Sequence, residues 1–147
     1  MNIFINSKED FIFVKKRYNN AQIFVENYSL YFELRNEKVF FFYDYLENEN
    51  LSEFNENLNN FYLNWYRDDK YQDYTSTNNL SLAQVLHKRI SLLFSYDFKM
   101  YVCIKNISKN GKKFYFIKNS SKSLERLKKT FPHKILYLNT FNENKFI

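Results

Sequence analysis

Residues 111–138 read GKKFYFIKNSSKSLERLKKTFPHKILYL, and the order of signals in this stretch decides the fold class. Gly111 is the one glycine of the chain and sits where a helix ends, because a helix C-terminus favours the left-handed backbone that glycine adopts without steric cost. Directly after it, Lys113–Ile117 (KFYFI) is a short β-prone run with Phe114 and Phe116 on one face. Ser121 or Ser123 then opens a helix bearing Leu124, Leu127 and Phe131, with Lys128 and Lys129 in its last turn against the negative helix end. Pro132, the one proline, stops that helix, and Ile135–Leu138 (ILYL) forms another strand. Strand, helix and strand in immediate succession make a parallel crossover unit.

The same alternation runs through the rest of the chain. Asn2–Asn6 (NIFIN) is β-prone, and Ser7 caps a following helix whose first turn holds Glu9 and Asp10 and whose inner face carries Phe11, Val14 and Tyr18. Ala21–Val25 (AQIFV) is a second strand, Tyr28–Leu34 a short helix or irregular crossover, and Val39–Tyr43 (VFFFY) a continuous apolar run of the kind buried on both faces. Leu51, Phe54, Leu58, Phe61 and Trp65 recur at spacings of three and four, which predicts an amphipathic helix capped by Asn50 with Glu53 at its third position. A polar loop, DDKYQDYTSTNN, follows. Ser81 and Gln84 then form a capping box flanked by Leu80 and Val85, opening one long helix toward Ile107 or two helices broken near Asp97 and Phe98. The expectation is one α/β domain over residues 1–147: a Rossmann-like, mainly parallel sheet of about five strands with helices on both faces.

Composition bounds the function classes. At 147 residues the chain can bury roughly two-thirds of its unfolded surface, and 45% of its residues are hydrophobic. Glycine-rich phosphate loops, dinucleotide fingerprints and nucleophile elbows cannot be written with one glycine that serves a helix end. With two histidines and one cysteine, a zinc site of Cys/His type cannot be assembled, so no metal and no cofactor are expected. Cys103 lies in an apolar run and reads as a small core residue. The N-terminus reaches an acidic pair before any long apolar stretch, and no uncharged run approaches the ~18–20 residues that span a bilayer. The expected location is cytoplasmic. Residues 1–74 carry 8 Lys/Arg against 13 Asp/Glu, a balance of −5, whereas residues 75–147 carry 14 against 3, a balance of +11. A basic half of this kind attracts nucleic acid, anionic lipid at a membrane surface, or a phosphorylated ligand.

In open parallel sheets, ligands bind beyond the carboxyl ends of the strands. The loop Asn6–Asp10 presents two carboxylates at a helix start and would repel phosphate. The loop Lys118–Ser123 (KNSSKS) has the opposite character: Lys118 and Lys122 supply charge, and Ser120 and Ser121 offer hydroxyls at a helix N-terminus, a combination suited to an anion. A third candidate is Trp65, Tyr66, Arg67 and Asp68, where aromatic faces beside a carboxylate and a guanidinium suit a sugar. No catalytic residue can be assigned.

The order strand, helix, strand, strand, a helix ending in NWYRDD (64–69), a polar loop, LSLAQVLHKRI (80–90) and KKFYFIKNSS (112–121) resembles the N-terminal half of bacterial surface-polysaccharide glycosyltransferases built from two Rossmann-like halves (GT-B). The resemblance implies a domain that shapes the acceptor side, with nucleotide-sugar bound by the other half. It places Trp65, Tyr66, Arg67 and Asp68 near an acceptor-facing edge and implies that transferase activity would need a second domain. Two other readings stand beside it: a nucleic-acid-binding protein using the basic C-terminal half, and a non-catalytic interaction module that forms a homo-oligomer through its acidic and basic surfaces.

Overall fold

The computed structural model describes residues 1–64, 76–77 and 80–138. Its core is a five-stranded, wholly parallel sheet made of β1 (Asn2–Ile5), β2 (Gln22–Val25), β3 (Val39–Phe41), β6 (Phe114–Ile117) and β7 (Ile135–Leu138), in the order β3-β2-β1-β6-β7. The other two strands described, β4 (Ser76–Thr77) and β5 (Leu80–Ser81), form a small antiparallel pair: β4 lies inside the segment read as a polar loop, and β5 takes up Leu80 and Ser81, read as the staple and cap of the next helix. Helices are α1 (Lys8–Arg17), α2 (Tyr28–Glu33), α3 (Asn48–Asn64), α4 (Leu82–Ile107) and α5 (Lys122–Thr130), with a 3₁₀ turn at Phe42–Tyr45. This is the Rossmann-like α/β arrangement.

Alternation along the strands sorts side chains onto two faces. Ile3, Ile5, Ile23 and Val25 point to one side and pack with Phe11 and Val14 of α1 and Leu30 of α2. Phe4, Phe24, Phe114 and Phe116 point to the other, where Met100, Cys103 and Ile104 of α4 and Leu124 and Leu127 of α5 cover them. Phe4 is the centre of that second layer, its ring 5.4 Å from Phe42 in an edge-to-face arrangement and 6.4 Å from Phe114. Cys103 is fully buried, and burial pushes its thiol pKa up to about 12.

Local signals set the boundaries. Ser7 accepts from the Asp10 amide at 3.1 Å and Ser121 from the Leu124 amide at 3.4 Å, which resolves the choice of cap for α5. Asn27 caps α2 in the same way. Helix α4 runs unbroken past Asp97 and Phe98 for 26 residues. It begins directly after Ser81, although the side chains of the Ser81–Gln84 box lie outside the described residues. At its other end the side chain of Asn2 donates to the Ile107 carbonyl at 3.3 Å, tying the start of β1 to the end of the longest helix.

Three expectations are corrected. The run Val39–Tyr43 is not a strand buried on both faces; β3 ends at Phe41, lies at the sheet edge, and leaves Phe40 38% exposed. The chain turns there because Phe42 is drawn under Phe4, which a continuing edge strand would not allow. Helix α3 begins at Asn48, which puts Asn50 inside it rather than at its cap. Gly111 does not terminate α4 directly: the helix ends at Ile107, and Asn110 and Gly111, both with positive φ (78° and 76°), form the turn into β6.

No atom lies within 4 Å of where a Cβ on Gly111 would stand, so only the left-handed backbone opposes a side chain there. Gly111→Ala should therefore cost about 1 kcal/mol, and Gly111→Asn less. The check is a lower denaturant midpoint with an unchanged m value.

Candidate functional site

The strand order reverses its winding direction between β1 and β6, and in open α/β sheets the crevice at such a reversal is where ligands bind. The loops leaving these two strands meet there. Asn6, one residue past β1, donates its side-chain amide to the Ser120 carbonyl, three residues past β6, at 2.8 Å. That bridge spans 114 positions of sequence and ties the loop after β1 to the loop after β6.

The two helix N-termini beside it differ chemically. At α1, the backbone N–H of Asn6 donates to Asp10 Oδ2 at 3.1 Å, and Glu9 and Asp10 place negative charge in the first turn, so the loop is closed to an anion by its own carboxylates. At α5, Lys118 and Lys122 are exposed and Ser120 and Ser121 half-buried, so the four residues predicted to hold an anion are brought together in one loop. Ser120 Oγ is buried and without a hydrogen-bond partner among the described residues. An unpaired buried hydroxyl costs stability, roughly 1–3 kcal/mol, unless something engages it.

One local feature narrows the loop's capacity. Asn119 adopts φ 66°, and its amide donates to Glu125 Oε1 at 2.8 Å, while Glu125 Oε2 accepts from the Tyr137 hydroxyl. The carboxylate thus fills one donor that an incoming anion would use, and raises the Tyr137 phenol pKa by that hydrogen bond. Lys118 and Lys128 both sit over the Tyr137 ring, at 6.0 and 4.8 Å from its centre. The loop therefore offers an anion lysine charge and serine hydroxyls more than a backbone cradle.

Farther along the same carboxyl edge lie polar groups that the sequence reading missed. Glu26 follows β2 and accepts, on Oε1, from Tyr43 at 2.7 Å and from Tyr96 of α4. The next residue, Asp97, takes a bidentate pair from Arg126, Nε to Oδ2 and Nη2 to Oδ1, both at 2.6 Å, and the Ser123 hydroxyl also donates to it. Arg126 is nearly half exposed, so the pair orients α5 against α4 more than it stabilises the fold. Asp97 is legible in sequence only as a charge interrupting an apolar helix face. Glu26 and Tyr43 carry no local pattern that would join them.

Trp65, Tyr66, Arg67 and Asp68 lie outside the described residues. Among the described residues no three His, Cys, Asp or Glu side chains group as metal ligands would, and no helix is long and apolar enough to cross a membrane. Searches against protein-family models, curated proteins and solved structures returned no match.

Burial first, and then the Glu26 carboxylate, push the Tyr43 and Tyr96 phenols well above the usual tyrosine value. In the unfolded chain both lose their protons near pH 10, while the folded chain retains them. Their contribution is therefore whole below about pH 10 and is lost as pH rises beyond it. Denaturant midpoints measured between about pH 8 and about pH 11 should fall less steeply at the alkaline end for the Tyr43→Phe/Tyr96→Phe double variant than for the wild type.

Proposed function

We propose that this chain is a Rossmann-like ligand-binding domain, related to the acceptor-side half of surface-polysaccharide glycosyltransferases, that receives an anionic glycan or sugar phosphate at the crevice between β1 and β6. The observation that carries the reading is the Asn6–Ser120 bridge, which sets the Lys118–Lys122 loop and the unpartnered Ser120 hydroxyl at the point where the sheet reverses. Phosphate belongs at the β6 side, because the β1 side presents Glu9 and Asp10 and lacks the glycines of a pyrophosphate turn.

The rest of the edge supports a hydroxyl-rich partner. Glu26, Asp97, Tyr43 and Tyr96 are held in fixed positions by one another and by Arg126, which is how a surface presents acceptors and donors without first having to order them. Exposed lysines bind anions weakly, with each pair worth less than about 1 kcal/mol, so a sugar portion must supply most of the affinity. Binding is accordingly sensitive to salt.

Calorimetric titration with a hexose 1-phosphate, inorganic phosphate and an uncharged oligosaccharide tests the reading. The hexose phosphate should bind more tightly than either of the others. Lys118→Ala/Lys122→Ala should weaken it by roughly tenfold, the loss of about 1.4 kcal/mol. Equal affinity in wild type and double variant would remove the loop from the site, and no heat with any of the three would sink the proposal.

A further inference from the structure

The opposite, amino edge of the sheet carries a cleft of about 200 Å³ between the end of α4, the turn into β6 and the segment entering β7. Four lysines line it: Lys105, Lys112, Lys113 and Lys134. All four are exposed, no acidic residue lines the cleft, and among the described residues none of them makes an ion pair. The nearby Lys109 is neutralised by Glu47 at 2.6 Å, which shows that the local chain can pair a lysine when a carboxylate is at hand. Unpaired like charges around one small cleft repel, and a bound anion relieves that repulsion.

Two further observations narrow the ligand. Ser108 also lines the cleft, and its Oγ is buried without a hydrogen-bond partner among the described residues, a second independent sign of a missing acceptor or donor. The floor is apolar: Ile104 and Ile135 are buried, and the Tyr101 and Phe131 rings stack at 4.8 Å beside them. A cationic rim over an apolar, ring-lined floor fits a phosphate ester joined to a planar group better than it fits a free inorganic ion. The volume is below the usual range for a whole drug-sized ligand, roughly 300 Å³ upward, so part of the ligand emerges to solvent.

We infer that this amino-edge cleft is a nucleotide-phosphate site, distinct from the carboxyl-edge crevice, in which Lys105, Lys112, Lys113 and Lys134 hold the phosphate, Ser108 hydrogen-bonds it, and the apolar floor receives the attached base. The phosphate comes either from a free nucleotide or from a single-stranded polynucleotide.

Thermal shift and fluorescence titration separate these sources, using inorganic phosphate, adenosine 5′-monophosphate and a single-stranded DNA about ten nucleotides long. The mononucleotide should bind more tightly than inorganic phosphate. Tighter binding of the DNA than of the mononucleotide, with a steep salt dependence, assigns the site to a polynucleotide; equal or weaker binding assigns it to a free nucleotide. Ser108→Ala is the decisive variant, because removing an unsatisfied buried hydroxyl leaves the fold at least as stable, yet affinity should fall about tenfold with the lost bond to a charged group. Lys112→Glu/Lys113→Glu should abolish binding, while Lys118→Ala/Lys122→Ala should leave it intact. Full affinity in Ser108→Ala, binding that survives the charge reversal, binding lost only with Lys118 and Lys122, or no response to any probe would each overturn the inference.

Discussion

A four-residue strand with no accessible surface must be hydrogen-bonded on both edges and covered on both faces, and β1 is such a strand. Its partners are β2 on one side and β6 on the other, in register from Asn2 outward. Because both pairings are parallel, each needs a crossover. The one through α1 lies on the Ile3–Ile5 face, and the return through α4 lies on the Phe4 face. The reversal of winding at β1, and hence the crevice beyond Asn6, follows from that double demand. Asn2 extends the constraint to helix packing, since it is buried and spends its amide on the last turn of α4.

The fold was largely legible because the punctuation is local. Ser7, Ser121 and Pro132 act on residues within a turn of themselves, and the alternation of Phe114 and Phe116 against Tyr115 and Ile117 needs only neighbouring positions. What escaped depends on distant sequence. An apolar run such as Val39–Tyr43 has the same pattern whether it lies at a sheet centre or an edge, and only the pairing of β2 with β1 decides. The Lys118–Lys122 loop could be located from its composition and its place after a strand. The hold of Glu125 on the Asn119 amide, and the convergence of Glu26, Tyr43 and Tyr96, depend on the relative placement of separate elements, which no short window contains.

The charge asymmetry of the sequence becomes an asymmetry of the fold. Three carboxylates of the acidic half are engaged one by one: Glu26 by two phenols, Glu37 by Lys15 and Glu47 by Lys109. On the basic half, Arg126 finds Asp97, but Lys105, Lys112, Lys113 and Lys134 have no ion-pair counterpart among the described residues. Along the carboxyl edge Glu26 and Asp97 are engaged within the protein although the Ser120 hydroxyl has no partner among the described residues, whereas four lysines line the amino-edge cleft with no carboxylate among them. Such a division lets one small sheet present two surfaces of different electrostatic character.

Helix α4 is about 39 Å long at 1.5 Å per residue, while strands of four residues span only about 13 Å. Its last two turns, from Met100 to Ile107, are locked into the core, but Leu92 and Leu93 remain 65% and 55% exposed. Backbone hydrogen bonds in the middle of the helix and in its last two turns should therefore differ in lifetime. Amides near Cys103 should exchange with solvent only when the whole sheet opens, whereas those around Leu92 should exchange through local opening that leaves the sheet intact. The middle of one continuous helix thus bears exposed apolar surface that its core-packed last turns do not.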